Sequence, residues 1–337
     1  MRSLSIAIGL CWFSFAAFGQ TGFGSLSGSV YQGDHAPLAN IPVEAKNVAT
    51  GTFYKTTTSP QGDYKFERLP AGKYEVSVLM LLYRPFLRKD FAIATGGSET
   101  LNVQLSDDAF GNTLGEFPAL LALFAKKPPP PAGPTPRMPD GKPDFSGVWI
   151  TPPAAMFSVL LQQPDLQPWA EALVRERILN QIKDKPSARC WPDGEPFVGL
   201  FPTKIVQTHT VLVSLVEDVI AAHQVFLDGR SHPSDLEPSW LGHSIGKWDG
   251  DTLVIDTVGF NDKTWLFVVV PHTEKLHSTI RLTRPDLGHL QIETTYDDPG
   301  TFKKPMTTKT VDVLAPDEEI GEVLCENNQY TEHVSDK

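Results

Sequence analysis

The sequence predicts a mainly β protein with two domains: a seven-stranded β-sandwich, followed by a larger antiparallel domain that is barrel-like or a sandwich and contains one helix. Three observations predict this all-β class. The chain of 337 residues is long enough for two domains. Short runs in which apolar and polar residues alternate recur in both halves, with glycine at many of the turns between them. A proline-rich stretch, residues 126–143, separates the halves.

The first nineteen residues are predicted to be a signal peptide. Arg2 forms a short basic region, the run Leu4–Phe18 is apolar, and the small residues Ala17 and Gly19 allow cleavage before Gln20. The apolar run is shorter than the roughly 20 residues that a membrane-spanning helix needs, and no later segment is long and apolar enough. We therefore expect a periplasmic or secreted protein with no transmembrane segment after cleavage.

Residues 20–106 are predicted to form the β-sandwich, because seven runs have strand character and no helical periodicity lies between them. The runs are Ser25–Tyr31, Ile41–Val48, Thr52–Thr58, Asp63–Leu69, Lys73–Leu81, Leu87–Ala94 and Glu99–Leu105.

Glycine, aromatic and aliphatic residues follow a fixed order in this sandwich, with an opening G-x-V and a closing L-P-x-G-x-Y. The positions are Gly28, Val30, Val43, Asn47, Gly62, Tyr64, Phe66, Leu69, Pro70, Gly72 and Tyr74. In this order they resemble the carboxypeptidase regulatory-like domain, which implies a transthyretin-like sandwich grouped with carbohydrate-binding-like folds. The matched residues are turn glycines and core positions, so the resemblance predicts structure and no chemistry.

Residues 107–143 are predicted to be a linker, since the prolines of residues 126–143 favour an extended, semi-rigid polyproline II spacer. Residues 144–337 are predicted to be the larger domain, with a helix over Gln167–Asp184 and a meander of antiparallel strands. The strand patterns are Thr203–Glu217, Val219–Asp228, Gly242–Trp248, Thr252–Phe260, Thr273–Leu282, His289–Tyr296, Thr307–Leu314 and Ile320–Cys325, after an opening strand at Phe145–Trp149.

Long motifs in the second half carry a resemblance of their own. They are DGRSHPSD, PSWLGHSIGKWDGDTLVIDTVGFNDKTWL, PHTEKLH, RPDLGHLQIETTYDDPG and CENN. Together they resemble a family of exported bacterial proteins of unknown function. The resemblance implies export and no particular reaction, so function must come from the residues.

Strand alternation places several ionisable side chains on apolar strand faces: His209, His223, Asp256, and His272 with Glu274. If these faces point inward, the side chains line a ligand cavity, because an unpaired buried charge is costly. His272, Glu274 and Asp256 are the candidate catalytic residues, as acid and base. The alternative is that each is a hydrogen-bonded core residue.

A second candidate site is the loop that contains Asp228, Arg230 and His232, with Trp240 and His243 close behind it in sequence. Its position after a strand predicts a place at the barrel mouth, and a guanidinium suits carboxylate ligands. With His209 and His223, these five residues are the predicted ligand-binding set. The alternative for Arg230 is a pairing with Asp228 or Asp235 that only holds the loop.

The cysteines predict one disulfide. Removal of Cys11 with the signal peptide leaves Cys190 and Cys325, in a compartment where disulfides persist. We expect the bond to tie the segment after the helix to the last predicted strand.

The leading functional hypothesis is a binding protein for carbohydrate or another small ligand; the alternative is a periplasmic hydrolase, isomerase or lyase. His277 is predicted on the face opposite His272, so HTEKLH is not the helical HExxH of metalloproteases, and neither a metal nor a cofactor is predicted. Nucleic acid is not an expected partner, because the formal net charge is −11 and phosphate binding needs cations.

Overall fold

The computed structural model describes residues 22–33, 35–81, 83–106, 129–160, 162–192, 202–216 and 222–321. The predicted signal peptide, residues 107–128 of the predicted linker, and Cys325 lie outside these residues. The chain divides into two compact units, Met1–Val78 with Leu87–Gln104, and Leu79–Phe86 with Leu105–Lys337.

The first unit contains two β-sheets, which confirms the predicted sandwich. Its strands, β1 to β9, span Phe23–Gln32, Ala36–Pro37, Pro42–Asn47, Phe53–Thr57, Asp63–Pro70, Gly72–Val78, Phe86–Ile93, Ser98–Thr100 and Val103–Leu105. A five-stranded sheet has the order β2-β1-β5, with β8 and β9 also paired to β1, and a four-stranded sheet has the order β4-β3-β6-β7. The described residues of this unit form nine strands instead of the predicted seven, because the run Glu99–Leu105 forms two short strands and β2 was not predicted.

The sandwich core uses the aromatic positions of the family pattern. Tyr64 and Tyr74 are 3% and 0% exposed, and the Tyr64 hydroxyl donates a 2.6 Å hydrogen bond to the Leu101 carbonyl. Buried tyrosine hydroxyls need such partners. Because both rings are in the core, they are not available to stack on a ligand.

Gly28 is expected to be intolerant of a side chain, because a Cβ there would lie 1.9 Å from the Leu101 carbonyl oxygen. Gly28→Ala should destabilise the first unit by about 2–3 kcal/mol through overpacking, measured by chemical denaturation. Gly51→Ala is the matched control: its Cβ would meet nothing within 4 Å, so only the left-handed backbone penalty of about 1 kcal/mol applies. Equal losses in the two variants would contradict the packing argument.

The second unit is a nine-stranded closed barrel, so of the two predicted architectures, a barrel and a sandwich, the barrel is the one formed. Its strands, β10 to β18, span Gly147–Ile150, Thr203–Gln207, Val211–Val216, Ala222–Phe226, His243–Asp249, Thr252–Val258, His277–Thr283, His289–Asp297 and Met306–Leu314. They follow one another around the barrel, and β10 pairs with β18 to close it. Every neighbouring pair is antiparallel except β13 with β14, which is parallel.

In the described residues, two α-helices precede strand β11, where one was predicted. The helix α1, Pro153–Leu160, has no charged residue and so lacks the polar face that sequence periodicity detects. The helix α2 spans Pro168–Leu179, shorter than the predicted Gln167–Asp184. It ends early because Gln181 and Ile182 adopt positive φ angles of 55° and 50°, which no α-helix continues through.

The described part of the predicted linker is bound to the barrel instead of extending as a free spacer. Arg137 makes a bidentate pair with Asp251, with nitrogen–oxygen distances of 2.7 and 3.1 Å. The Gly133 carbonyl accepts a hydrogen bond from the Leu287 amide, and Thr135 donates to the Arg284 carbonyl. Prolines leave their carbonyls free to accept, so an extended proline-rich strand can still be held along a barrel surface.

The barrel interior contains two apolar clusters and a set of buried polar side chains. The first apolar cluster is formed by Phe145, Trp149, Ile205, Leu212, Val225, Leu253, Ile255, Ile280, Leu282, Leu290 and Ile292. The buried polar side chains, called the polar belt below, are at most 5% exposed: Ser214, His223, Ser244, Thr257, Ser278, Thr294, Thr308, Thr310 and Asp312. Tyr296 and Met306, which pair across β17 and β18, belong to the second apolar cluster, which includes residues of α2. Because Thr310 and Asp312 pair with Ile292 and Leu290, the polar belt adjoins both apolar clusters.

Candidate functional site

The loop after β13 is held by an internal ion pair. Arg230 donates from Nε and Nη2 to the Asp228 carboxylate at 2.9 and 2.6 Å, and its guanidinium lies 3.8 Å from the centre of the Phe226 ring. The hydrogen bonds from Arg230 lower the pKa of Asp228. Two roles were predicted for Arg230, contact with a ligand or pairing within the loop. The structure contains the pairing with Asp228, and this ion pair holds the loop that leads to His232.

Four side chains beyond this loop form a connected group, called the histidine cluster below: His232, His243, Asp256 and His277. Asp256 lies at the centre, with Oδ2 2.9 Å from His232 Nε2 and Oδ1 2.5 Å from His277 Nε2. His232 Nδ1 lies 2.8 Å from His243 Nδ1. One carboxylate thus orients two imidazoles, and a third imidazole extends the chain.

Three neighbouring strands and one loop position the cluster. His243 begins β14, Asp256 lies near the end of β15, and His277 begins β16. Ile255 pairs with Ile280 across β15 and β16 and both are buried inside the barrel, so the next residue, Asp256, must face outward. Asp256 therefore does not line the barrel interior, contrary to the expectation from its apolar neighbours in sequence.

The charges of the cluster are set by opposing influences. Burial acts to raise the pKa of Asp256, but hydrogen bonds from His277 and His232 outweigh it and lower the pKa. Burial lowers the pKa of His243, and the nearby His232 and Arg230 lower it further. At neutral pH the cluster therefore presents an ionised carboxylate and a neutral His243 imidazole, a set of donors and acceptors suited to hydroxyl groups.

Aromatic rings flank the cluster. Phe226 stacks on His243, with ring centroids 5.4 Å apart and an interplanar angle of 27°. Trp240, three residues before His243, packs on Trp191 with a centroid distance of 5.4 Å. Trp191 is 43% exposed. Exposed aromatic faces beside hydrogen-bonding groups can contact a ligand that is apolar on one face and polar at its edges.

The predicted pair of His272 and Glu274 is not formed. His272 is 2% exposed and its Nε2 lies 2.5 Å from Thr264 Oγ1, whereas Glu274 is exposed. The two residues lie before β16, in a turn where Leu276 donates its amide to the Thr273 carbonyl, so strand alternation does not apply to them. Burial lowers the pKa of His272. Its geometry is that of a hydrogen-bonded core histidine.

The two remaining histidines of the predicted set lie apart. His209 is exposed in the turn between β11 and β12 and does not face the barrel interior. His223 faces inward as predicted, is 3% exposed, and its Nε2 lies 2.7 Å from Ser244 Oγ, which in turn lies 2.7 Å from Thr257 Oγ1. Burial lowers the pKa of His223 to about 4, so this imidazole is neutral at physiological pH.

Two residues of interest were missed by sequence reasoning. His277 was assigned to the face opposite His272 and set aside, yet that outer face is where Asp256 lies. Asp312 lies between Val311 and Val313, a pattern that predicts buried valines and an exposed carboxylate. The structure reverses this: Val311 is 41% exposed and Asp312 is 3% exposed.

Within the described ranges, no group of three or more His, Cys, Asp or Glu side chains is placed to hold a metal ion. In the histidine cluster the ring nitrogens point at one another and at Asp256, so each potential ligand is already used. Neither helix of the described second unit has the length and apolar character of a membrane-spanning helix.

Comparison with known proteins identifies the first unit. Residues 25–106, about a quarter of the chain, match the carboxypeptidase regulatory-like domain, as the sequence motifs predicted. A search of curated proteins found no match.

Several solved structures share limited similarity with the chain. A catechol 1,2-dioxygenase from an Acinetobacter species is 12% identical over 27% of this chain and 54% of its own, with a TM-score of 0.21. A candidate carbohydrate-binding protein from Bacteroides uniformis is 9% identical over 86% of this chain and 99% of its own, with a TM-score of 0.22. A DUF3823 family protein from Bacteroides ovatus is 6% identical over 87% and 98%, with a TM-score of 0.20.

The chain spans only 54% of the length of the Acinetobacter catechol 1,2-dioxygenase and 61% of a 3-chlorocatechol 1,2-dioxygenase from Rhodococcus opacus. With TM-scores near 0.2, none of these similarities bears on what the chain does.

Proposed function

We propose that the chain is an exported binding protein whose second unit binds a carbohydrate at the histidine cluster and the adjoining pair Trp191 and Trp240. Two observations support the proposal: Asp256 is an ionised carboxylate held by two imidazoles, and Trp240, three residues before His243, forms a partly exposed pair with Trp191. Sugars offer hydroxyl groups at their edges and C–H groups on their faces, which such a surface satisfies with hydrogen bonds and stacking. The carboxypeptidase regulatory-like unit agrees with this class, since that fold is grouped with carbohydrate-binding-like folds.

The proposal is tested by screening the mature full-length protein on a glycan array and measuring the affinity of a bound glycan by calorimetry. Trp240→Ala should weaken binding about 10-fold, because aromatic residues at the centre of a binding surface typically contribute more than about 1 kcal/mol. Trp169→Ala is the matched control: Trp169 is 45% exposed and donates to the Gly300 carbonyl on the same unit. No binding to any glycan, or an equal loss in both variants, would refute the proposal.

A second candidate function, acid–base catalysis, is favoured by one specific observation. The contact of Asp256 with His277 is a carboxylate–imidazole pair, and His277 is partly exposed, so its second nitrogen can face a substrate. The two functions are separated by Asp256→Asn, assayed with the glycan found on the array. Loss of glycan cleavage with binding retained would identify an enzyme; loss of binding with no cleavage by the parent protein would identify a binding site.

Export is part of the proposal. The basic Arg2, the apolar run Leu4–Phe18 and the small residues before Gln20 support a cleaved signal peptide. Expression in a bacterial host followed by fractionation and mass measurement tests it. A periplasmic or secreted protein that begins at Gln20 is expected, and an uncleaved protein in the cytoplasm would contradict it.

The disulfide between Cys190 and Cys325 belongs to the same proposal. Cys190 follows the 3-10 turn Pro186–Arg189 and has a left-handed φ of 59°. Cys325 and Cys11 are the other cysteines of the chain, and Cys11 lies in the proposed signal peptide. Cys325 is therefore the partner that remains in the mature protein. Because Trp191 directly follows Cys190, this bond would also hold the aromatic pair of the proposed sugar site.

A further inference from the structure

The polar belt contains one carboxylate and no basic side chain that is protonated at neutral pH. Asp312 pairs with Leu290 and Thr310 pairs with Ile292 across β17 and β18, and both partners belong to the interior apolar cluster. Directly paired residues project to the same face of a sheet, so Asp312 and Thr310 point into the barrel. Among the inward-facing residues of the nine strands, no Lys or Arg is present, and His223 is neutral.

Three atoms of the belt lack a hydrogen-bond partner: Asp312 Oδ1, Thr310 Oγ1 and Thr294 Oγ1. Buried polar atoms are nearly always paired, and each unpaired one costs about 1–3 kcal/mol. All three lie on the adjacent strands β17 and β18, where Thr294 pairs with Thr308. On strands β13 to β15, His223 Nε2 lies 2.7 Å from Ser244 Oγ, which lies 2.7 Å from Thr257 Oγ1. The unpaired atoms therefore mark one wall of the interior.

Among the residues that the structure describes, no charged side chain near Asp312 supplies the missing positive charge. The hydroxyl groups of Thr151, which directly follows β10, and of Thr310 lie beside the Asp312 carboxyl and act to lower its pKa. Strand β17 brings Leu290, and helix α1 has no charged residue. The buried Arg284 lies over the Trp149 ring, but its nitrogens donate to the backbone carbonyls of Asp144, Asp286 and Leu287. A buried carboxylate without a cation is costly when ionised, so burial raises the pKa of Asp312 to about 7.

We propose that the barrel interior binds a small hydroxylated amine, with its ammonium group at Asp312 and its hydroxyl groups at Thr310 and Thr294. An ammonium group supplies both a positive charge beside the Asp312 carboxylate and a hydrogen-bond donor for Asp312 Oδ1. Charge-assisted hydrogen bonds of this kind are stronger than those between neutral groups. Hydroxyl groups match threonine oxygens, which donate and accept. This site is independent of the proposed sugar site on the outer face, and either can fail without the other.

The test uses two probes that differ in one group, 3-amino-1,2-propanediol and glycerol. They have the same number of heavy atoms, and only the first carries an ammonium. Calorimetry with the full-length protein at pH 8 should show tighter binding of the amine than of glycerol. Its affinity should fall about 10-fold between pH 8 and pH 6, because Asp312 must be ionised to bind it and the ionised fraction falls by that factor around a pKa near 7.

Asp312→Asn should remove the preference for the amine and its pH dependence. Glu293→Gln is the matched control, because Glu293 lies on the neighbouring strand β17 but faces outward and pairs with Lys309. Equal affinity for the two probes in the parent protein, or an amine preference that survives in Asp312→Asn, would overturn the proposal. Absence of binding by both probes would also overturn it and leave buried water as the partner of these atoms.

Discussion

Reduction of the proposed disulfide between Cys190 and Cys325 is expected to cause the largest single loss of stability in the molecule, about 4–5 kcal/mol. A disulfide stabilises by restricting the unfolded chain, and this bond would close a loop of more than about 100 residues. For a unit of this size, such a loss lowers the melting temperature by about 10 °C or more. Hydrogen exchange measured by mass spectrometry, with and without a reductant, resolves the effect by region.

The first unit is the internal control for this prediction, because its one cysteine, Cys11, lies in the proposed signal peptide. Its exchange rates should be unchanged by the reductant while those of the barrel strands rise. The variant Cys325→Ser should behave under oxidising conditions as the reduced parent does. If that variant keeps the stability of the oxidised protein, Cys190 has another partner and the proposed pairing is wrong.

The second large effect is expected from Asp312→Asn, and it depends on pH. The pKa of Asp312 is about 7 when folded, against 3.8 for the ordinary group. An acid whose folded pKa is raised contributes stability that is complete below its unfolded pKa and is lost as pH rises through the folded pKa. Over this window the parent should lose about 4 kcal/mol relative to the variant, since one pKa unit corresponds to about 1.4 kcal/mol.

The quantity to measure is the difference in free energy of unfolding between parent and variant, by urea denaturation at pH 4, 6 and 8. The parent alone is not sufficient, because His223 changes the free energy of unfolding in the opposite direction. Its folded pKa of about 4 makes stability fall as the pH drops below 6.5, and this contribution is the same in parent and variant. The variant should match the parent near pH 4 and exceed it at pH 8. A difference that does not grow with pH would show that Asp312 is not buried as a lone carboxylate.

Much of the fold follows from the sequence because its signals are local. Alternation and glycine turns located the sandwich strands, and the family motifs placed residues such as Tyr64 and Tyr74 in its core. The register of the strands is not local. Strand β15 has apolar residues on both faces, so Leu253 with Ile255 and Val254 with Val258 were equally good inward sets. Pairing of Ile255 with Ile280 decides between them and places Asp256 outside.

The same lack of long-range information explains which site residues were found. Asp228, Arg230, His232 and His243 were grouped because they are close in sequence, and the structure keeps them close. Asp256 was chosen for burial, yet it joins the group because it faces outward beside His232. His277 and Asp312 could not be identified without the strand register. For each of them, the apolar and polar pattern of the neighbouring residues predicts the wrong face of the strand.

The most direct test of the proposed carbohydrate site is an NMR titration of the histidine side chains with the glycan that the array identifies. The imidazole signals of His232, His243 and His277 should shift together and saturate at the calorimetric affinity. His289 is the reference, because it is a partly exposed histidine paired with Asp286 away from the cluster. Shifts confined to the cluster are the predicted result. Unchanged cluster signals at saturating glycan would contradict the account.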